Sequence, residues 1–155
     1  LRHVGRGICK KDHLSSGKVQ QLVSLRFCSS KLQPFHLAIP VSNLKAAKEF
    51  YGGVLSLPEG RSSSKWQDYN LFGHQLVVHE VSTLTDCSLQ KVDGEQVPVP
   101  HFGVCLNETQ FHELSKKLQD KKVHFIIPPT RRFEGTTGEQ WTMFFKDPSS
   151  NFLEF

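Results

Sequence analysis

The sequence predicts an α+β protein built from two copies of one strand–helix–strands unit. A strand-like segment that ends in a helix-capping residue occurs twice, at residues 36–42 and 101–107. The two segments match at a single offset of 65 residues, pairing His36 with His101, Ile39 with Val104, Val41 with Leu106 and Ser42 with Asn107. A helical pattern and further strand-like segments follow each copy. The repeat therefore predicts two similar modules.

The first module is expected at residues 34–82. It begins with a strand, and Ser42 or Asn43 is a suitable N-cap for the helix that follows, which ends at the glycines of residues 52–53. A turn at Gly73 joins two later strand-like segments. The strands predicted for this module are 35–41, 64–72 and 75–81.

The second module is expected at residues 101–155, after a linker at about 83–100. The linker is polar and contains the turn-forming pair Asp93-Gly94. An amphipathic helix is expected over about 108–120, and its apolar face consists of Phe111, Leu114 and Leu118. The strands predicted for this module are 101–107, 122–127, 140–146 and 151–155.

The net charge of +4 is not spread evenly along the chain. Residues 1–33 hold seven Lys and Arg against one acidic residue, whereas residues 34–155 hold 12 against 14. The second part therefore has no general attraction to a phosphate backbone, and we expect no nucleic-acid partner. No apolar run reaches the roughly 18–20 residues that cross a bilayer, so we expect no membrane partner.

Residues 1–33 are basic, rich in serine and almost free of acidic residues. This composition is typical of a disordered N-terminal extension or of the remnant of a transit peptide. The cysteines, Cys9, Cys28, Cys87 and Cys105, form no CxxC pair, which indicates free thiols in a reducing compartment, with Cys105 as a small buried strand residue. We therefore expect an intracellular protein, in the cytoplasm or, with a transit peptide, in a mitochondrion or plastid.

Two histidines stand at equivalent positions, at the starts of the first strands of the two modules. Duplicated units that pack side by side place equivalent positions on opposite walls of one cleft, so we expect His36 and His101 to converge. Imidazole nitrogen suits Fe, Mn, Zn, Ni or Cu, and a carboxylate is the usual third partner in an open catalytic site. The pair therefore predicts a transition-metal site.

The module starts and the C-terminal segment together resemble the vicinal oxygen chelate superfamily, which includes glyoxalases, extradiol dioxygenases and fosfomycin-resistance proteins. The resemblance covers residues 34–155 and rests on Phe35-His36 with Ile39 and Val41, on Phe50-Tyr51 and Val54-Leu55, and on Asp147-Pro148-Ser149-Ser150-Asn151-Phe152-Leu153-Glu154. It implies an α+β fold of paired βαβββ modules, whose curved sheet encloses one divalent metal ion, which is Fe, Mn, Zn or Ni.

The same resemblance implies further ligands. In the family an aspartate–proline turn leads to a strand whose glutamate binds the metal, which corresponds to Glu154. Glyoxalase relatives also place a glutamate or glutamine near the end of the last strand of the first module, where the matching residue is His79. Strand alternation puts His79 on one face with Gln75 and Val77, and Glu80 on the other face. We favour His79 as this ligand, and Glu80 is the alternative.

His36, His101 and Glu154 alone form a set of two histidines and one carboxylate, which leaves positions open for substrate or oxygen. His79 then has two candidate roles. As a fourth ligand it supports a glyoxalase-like Lewis-acid site, and as an unbound acid/base group beside the metal it suits a dioxygenase. The sequence does not choose between them, and His79 and Glu154 are both catalytic candidates.

In the loop before the predicted strand 140–146, Arg132 is a candidate to bind a substrate carboxylate or oxyanion, and Gln140 to form a hydrogen bond with the substrate. The resemblance implies a homodimeric, metal-dependent lyase or isomerase of glyoxalase type, or an extradiol-type dioxygenase, that acts on a small oxygenated molecule. The alternative is a non-catalytic small-molecule binding or resistance protein of the same fold. Pairing of the modules within one chain or across the dimer is left open.

Overall fold

The structure is a computed structural model that describes residues 33–84, 88–92 and 95–155. The expected N-terminal extension, apart from its last residue, lies outside the described residues, as do Cys9, Cys28, Cys87 and the predicted turn at Asp93-Gly94. Within the described ranges no helix is both long enough and apolar enough to span a membrane.

The elements of the first module are β1 (His36–Val41), α1 (Leu44–Lys48) with a π-helical continuation (Glu49–Val54), β2 (Glu59–Ser62), β3 (Trp66–Leu71) and β4 (His74–Glu80). A hairpin follows, made of β5 (Ser88–Val92) and β6 (Glu95–Val99). The elements of the second module are β7 (Phe102–Gly103), α2 (Glu108–Asp120), β8 (Phe125–Arg132), β9 (Gln140–Lys146) and β10 (Phe152–Glu154).

The two modules form four-stranded sheets with the same strand order. The first sheet has the order β1-β4-β3-β2 and the second has β7-β10-β9-β8. In each sheet the first strand of the module runs parallel to the last one, and the other neighbours are antiparallel. The prediction of paired βαβββ modules is therefore confirmed.

The structure differs from the sequence prediction in several segments, and β8 (Phe125–Arg132) extends beyond the strand expected at 122–127. The linker at 83–100 contains the β5–β6 hairpin, which backbone pairing forms in a polar sequence. Strand β2 was missed because its four residues are all exposed, so no apolar alternation marks this edge strand. The strand expected at 101–107 is limited to Phe102–Gly103, and Cys105 is consequently exposed instead of buried.

Polar caps and a tight turn set the limits of the main elements. The side chain of Asn43 accepts a hydrogen bond from Ala46 N over 2.9 Å and so caps α1. Asn107 and Gln110 form a reciprocal capping box at the start of α2. Phe72 and Gly73 both have positive φ, 50° and 96°, which suits the two-residue hairpin between β3 and β4.

One hydrophobic core joins the two modules. The first sheet contributes residues such as Ile39, Val41, Leu76 and Val78, the helix α2 contributes Phe111, Leu114 and Leu118, and the second sheet contributes Met143, Phe145 and Leu153. The ring of Phe145 stacks on Phe155 at 5.9 Å and contacts Phe50 of the first module at 6.3 Å. Because strand residues alternate, the opposite face of each sheet remains outside this core.

A buried carboxylate, Asp147, adds a polar connection between the modules. Its Oδ1 accepts hydrogen bonds from the backbone N–H groups of Ser149 and Asn151, both at 2.8 Å. Its Oδ2 accepts from Asn151 Nδ2 at 2.8 Å and from the hydroxyl of Tyr51 at 2.9 Å. Asn151 Nδ2 also donates to the carbonyl of Pro40. The turn after β9 is thus bound to the helix and first strand of the other module.

Replacing this carboxylate is expected to destabilise the whole fold. The substitution Asp147→Ala leaves the Tyr51 hydroxyl and several N–H groups without an acceptor in a buried place, so we expect the free energy of unfolding to fall by roughly 3–5 kcal/mol. Asp120→Ala is the control, because Asp120 forms only an exposed ion pair with Lys116, and it is expected to cost less than about 0.5 kcal/mol. Urea unfolding measures both, and equal effects would contradict the proposed importance of Asp147.

Candidate metal centre

The first group of site residues lies on the first sheet. His36 stands at the start of β1, in register with Gln75 of β4. A hydrogen bond of 2.7 Å joins His36 Nδ1 and Gln75 Oε1. Gln75 Nε2 donates to Oδ2 of Asp68 over 3.2 Å, and Arg61 Nε donates to the same oxygen over 3.0 Å. His36 is exposed and lies on the face opposite the core residue Ile39.

The second group lies on the second sheet. His101 and Glu154, which we call the carboxylate–imidazole pair, place Nε2 and Oε2 2.9 Å apart. The Nδ1–H of His101 donates to the carbonyl of Pro98 over 2.6 Å, and the hydroxyl of Thr142 donates to Glu154 Oε1 over 2.9 Å. The ring of His101 contacts Phe144 edge to face at 5.2 Å. Each member of the pair is therefore held by a further contact.

Gly103 permits the close approach of β7 and β10 that forms this pair. It is in register with Glu154, and a Cβ at position 103 would overlap the backbone carbonyl of Glu154. Any side chain here would push the two strands apart. The glycine therefore keeps Glu154 within reach of the His101 ring.

The carboxylate–imidazole pair has the donor chemistry of a metal site. With its Nδ1–H bonded to Pro98, the neutral ring of His101 presents the lone pair of Nε2 to a carboxylate oxygen, which is also an acceptor. Two acceptors in contact repel each other unless a proton or a cation lies between them. Atoms bound to one transition-metal ion at about 2.1 Å and at a right angle are about 3.0 Å apart. The observed spacing of 2.9 Å fits two ligands of one divalent ion, and it equally fits a hydrogen bond from a protonated ring to the carboxylate.

The structure does not bring all the expected ligands together within one chain. His36 belongs to the first sheet, and His101 and Glu154 belong to the second. Among the described residues, no three His, Cys, Asp or Glu side chains form a group that could hold a metal ion. Each sheet uses one face for the shared core and carries its own ligands on the other face. The expected convergence of His36 and His101 is therefore not seen within the chain.

The register of β1 and β4 separates His79 from His36. His79 pairs with Pro40, four residues along β1 from His36, which corresponds to about 13 Å at the usual rise of a strand. Its exposed ring lies 6.4 Å from the ring of Trp66. The register thus does not support His79 as a ligand beside His36, and Gln75 takes the position next to His36 instead.

Glu80, the alternative ligand, binds the start of α1 and Lys65 instead. Its Oε2 accepts a hydrogen bond of 3.0 Å from Leu44 N at the start of α1, and its Oε1 is bound by Lys65. The bond from Lys65, followed by that from Leu44, lowers the pKa of Glu80 below its ordinary value. Glu80 therefore anchors the first helix and does not face the same side as His36.

A cavity of about 730 Å³ opens beside the carboxylate–imidazole pair. Gln140 and Trp141 line this cavity, and so does Arg131. Arg132, the expected anion-binding residue, is not among its lining residues, and its guanidinium lies 5.1 Å from the centre of the Phe133 ring. Arg131 therefore lines the cavity, whereas the sequence predicted Arg132 at this position.

Arg131 is already paired with acidic residues. Its guanidinium binds Glu139, which also lines the cavity, and Glu134 at 3.3 Å. The hydrogen bond that Arg131 donates to Glu139 raises the pKa of Arg131, while the hydrogen bonds from Gly135 N–H and then from Arg131 lower the pKa of Glu139. A negatively charged substrate would have to compete with Glu139 for this guanidinium.

Three contacts that matter for the site were missed in the sequence. Gln75 carried a signal, because it shares the face of Val77 and His79 and lies nearest the end of β4 where His36 stands. Thr142 carried a weaker one, since it is a polar residue in an otherwise apolar strand. The carbonyl of Pro98 carried none, because any residue supplies a backbone oxygen.

The register predicts the effect of replacing His79. Since His79 lies far along the strand from His36, His79→Ala is expected to leave the metal content of the purified protein unchanged, whereas His101→Ala should lower metal affinity by at least tenfold. Metal analysis of both variants, prepared without chelator, measures this difference. Loss of metal in His79→Ala at an unchanged melting temperature would show that the register argument is wrong.

The lowered pKa of Glu80 predicts a pH dependence of stability. A carboxylate whose folded pKa is depressed stabilises the fold above its unfolded pKa of about 4.3, and this contribution disappears as the pH falls through the folded value. We therefore expect Glu80→Gln to melt at a lower temperature than the wild type at pH 7, and the difference to shrink as the pH falls below about 4.3. Melting curves across this range test it, and a difference independent of pH would refute it.

The comparisons with known proteins agree with this geometry. A family model described as the Glyoxalase/Bleomycin resistance protein/Dioxygenase superfamily matches residues 33–155. A glyoxalase/bleomycin resistance protein/dioxygenase from Alicyclobacillus acidocaldarius is 35% identical, with 79% of this chain and 89% of that chain covered and a TM-score of 0.63. A comparison with curated protein sequences finds no significant match.

Two more distant solved structures share the fold alone. An integron cassette protein from the metagenome of a Halifax Harbour sewage outfall is 23% identical, with 79% and 96% of the two chains covered and a TM-score of 0.60. The fosfomycin resistance protein FosX from Listeria monocytogenes is 17% identical, with 81% and 90% covered and a TM-score of 0.56. With a family model that matches nearly all of the described residues, the chain belongs to the Glyoxalase/Bleomycin resistance protein/Dioxygenase superfamily.

Proposed function

We propose that the protein is a metal-dependent enzyme that acts on a small oxygenated molecule, as a glyoxalase-type lyase or isomerase or as an extradiol-type dioxygenase. His36, His101 and Glu154 hold one divalent ion, which is Fe, Mn, Zn or Ni. The observation that carries this proposal is the carboxylate–imidazole pair, in which His101 Nε2 and Glu154 Oε2 lie 2.9 Å apart beside a cavity. Two histidines and a carboxylate form a ligand set that leaves positions for a substrate.

The residues around the pair have separate tasks. When bound, the ion supplies Lewis-acid stabilisation of an oxyanion or enediolate of the substrate. Thr142 holds one oxygen of Glu154, so the other is directed at His101. The amide of Gln140 is placed to form a hydrogen bond with a substrate in the cavity, and the ring of Trp141 provides an apolar wall that excludes water.

We further propose that two protomers complete the site. His36 is exposed on the open face of the first sheet, and the carboxylate–imidazole pair lies on the second sheet. In a symmetric dimer, the first sheet of one protomer can face the second sheet of the other, and the twofold axis then forms two identical sites. This arrangement supplies a third ligand to each pair. It is the proposed reason for a homodimer.

Mixed dimers distinguish a shared site from a site within one chain. If the site is shared, a dimer of one His36→Ala protomer and one His101→Ala protomer has one site with both substitutions and one site with neither. Mixed dimers isolated with two different affinity tags are therefore expected to bind about half as much metal as the wild type. Each variant alone should bind little metal, because every site lacks one ligand.

The controls separate the parts of this proposal. His112→Ala, which removes an exposed histidine of α2, is expected to bind metal like the wild type. Mixed dimers without metal, while the wild type binds it, would place the complete site within one chain. A wild-type protein that binds none of Fe, Mn, Zn or Ni on titration would overturn the metal-dependent function itself.

A non-catalytic small-molecule binding protein of the same fold is the competing function. The cavity supports a binding function, because its lining includes Phe111 and Trp141 and aromatic walls bind ligands without any metal. Ligand binding that is independent of metal and of Glu154 would favour it. Turnover of glyoxalase-type or extradiol-type substrates that is lost in Glu154→Ala would favour the enzyme.

A further inference from the structure

We propose that Gln75 is a positioning residue that holds His36 in the tautomer with the proton on Nδ1, so that Nε2 offers its lone pair to the metal ion. This inference rests on the proposed function. The geometry that carries it is a chain of hydrogen bonds across four strands, from Arg61 of β2 through Asp68 of β3 and Gln75 of β4 to His36 of β1.

The chain begins with a carboxylate that has a fixed role. Asp68 is only 7% exposed, and its Oδ2 accepts a hydrogen bond from Arg61 Nε at 3.0 Å. A carboxylate has acceptors but no donor. Whatever group contacts Asp68 Oδ2 must therefore donate a proton to it.

The amide of Gln75 is oriented by this requirement. The group that approaches Asp68 Oδ2 at 3.2 Å must be the NH₂ of Gln75, because its carbonyl oxygen would repel the carboxylate. The amide oxygen then points to the opposite side, where it meets His36 Nδ1 at 2.7 Å. Hydrogen-bond logic thus assigns the two ends of this amide.

The orientation of the amide decides the tautomer of His36. An amide oxygen only accepts, so His36 Nδ1 must carry the proton that it receives. In a neutral ring the other nitrogen, Nε2, is then unprotonated. This is the nitrogen that a metal ion requires, since histidine binds metals through an unprotonated ring nitrogen.

The two modules use different groups to accept the Nδ1–H of their histidine. In the second module the carbonyl of Pro98 accepts the Nδ1–H of His101, so both histidines present Nε2. A backbone carbonyl cannot be removed by substitution, whereas a glutamine side chain can. Partners of metal-binding histidines outside the ligand set typically contribute 10- to 100-fold to metal affinity. Gln75 is therefore the one of the two acceptors that substitution can test.

The test compares three proteins at a pH where histidine is neutral. Gln75→Met removes the acceptor at similar size, and it is compared with the wild type and with a surface control. The control Gln119→Met makes the same change on the exposed surface of α2. Long-range proton–nitrogen NMR spectra of the metal-free proteins report the tautomer of His36, with the signal assigned by its loss in His36→Gln. Cobalt titration and melting temperature are measured on the same samples.

We expect the Nδ1–H tautomer in the wild type and in Gln119→Met. In Gln75→Met we expect a tautomer mixture and a cobalt affinity lowered by about 10- to 100-fold, at a melting temperature close to that of the wild type. A wild-type His36 with its proton on Nε2, or Gln75→Met with an unchanged tautomer and affinity, would overturn the role of Gln75. Because the spectra need no metal, they test Gln75 even if the wild type binds none.

Discussion

The Asp147 carboxylate is the interaction on which the rest of the structure depends. Its four hydrogen bonds hold the turn between β9 and β10 and join it to Tyr51 of the first module. Burial, and then the nearby carboxylate, raise the pKa of Tyr51 well above its ordinary value, so the hydroxyl remains a donor at any physiological pH. The same turn sets the register of β10 on β9, which places Glu154 opposite Phe144 and within reach of Thr142. A contact that joins the modules therefore also positions Glu154, the carboxylate of the proposed metal site.

Because strand residues alternate, one face of each sheet packs in the core and the other face carries the candidate ligands. Ile39 and Val41 of β1 enter the core, while His36 lies on the other face, and Leu153 and Glu154 divide β10 in the same way. Because neighbouring residues have opposite tasks, a shift of register by one residue would exchange core and ligand positions. The apolar core thus fixes the ligands indirectly, since it admits only one register.

The sequence predicted features that depend on local pattern and failed where distant strands had to be aligned. The repeat, the caps and the helix at 108–120 follow from neighbouring residues, so both modules could be predicted. The register of β4 against β1 depends on contacts between residues about 40 positions apart, so His79 was favoured where Gln75 stands. The sequence predicted a loop at Arg131 and Arg132, whereas both lie at the end of β8, where strand alternation puts neighbouring side chains on opposite faces, and only Arg131 lines the cavity.

The first module has no carboxylate at the position equivalent to Glu154. This difference between the modules favours a set of three ligands for the proposed site. Glu154 is in register with Gly103, and the offset of 65 residues makes Ala38 the equivalent of Gly103 in the first module. Ala38 is in register with Val77, so a buried apolar side chain stands where the first module would carry the equivalent carboxylate. A fourth ligand from the same position is therefore missing in β4, since valine has no donor atom. The proposed site then has two histidines and one carboxylate, and Gln75 accepts a hydrogen bond from His36 without being a proposed ligand itself.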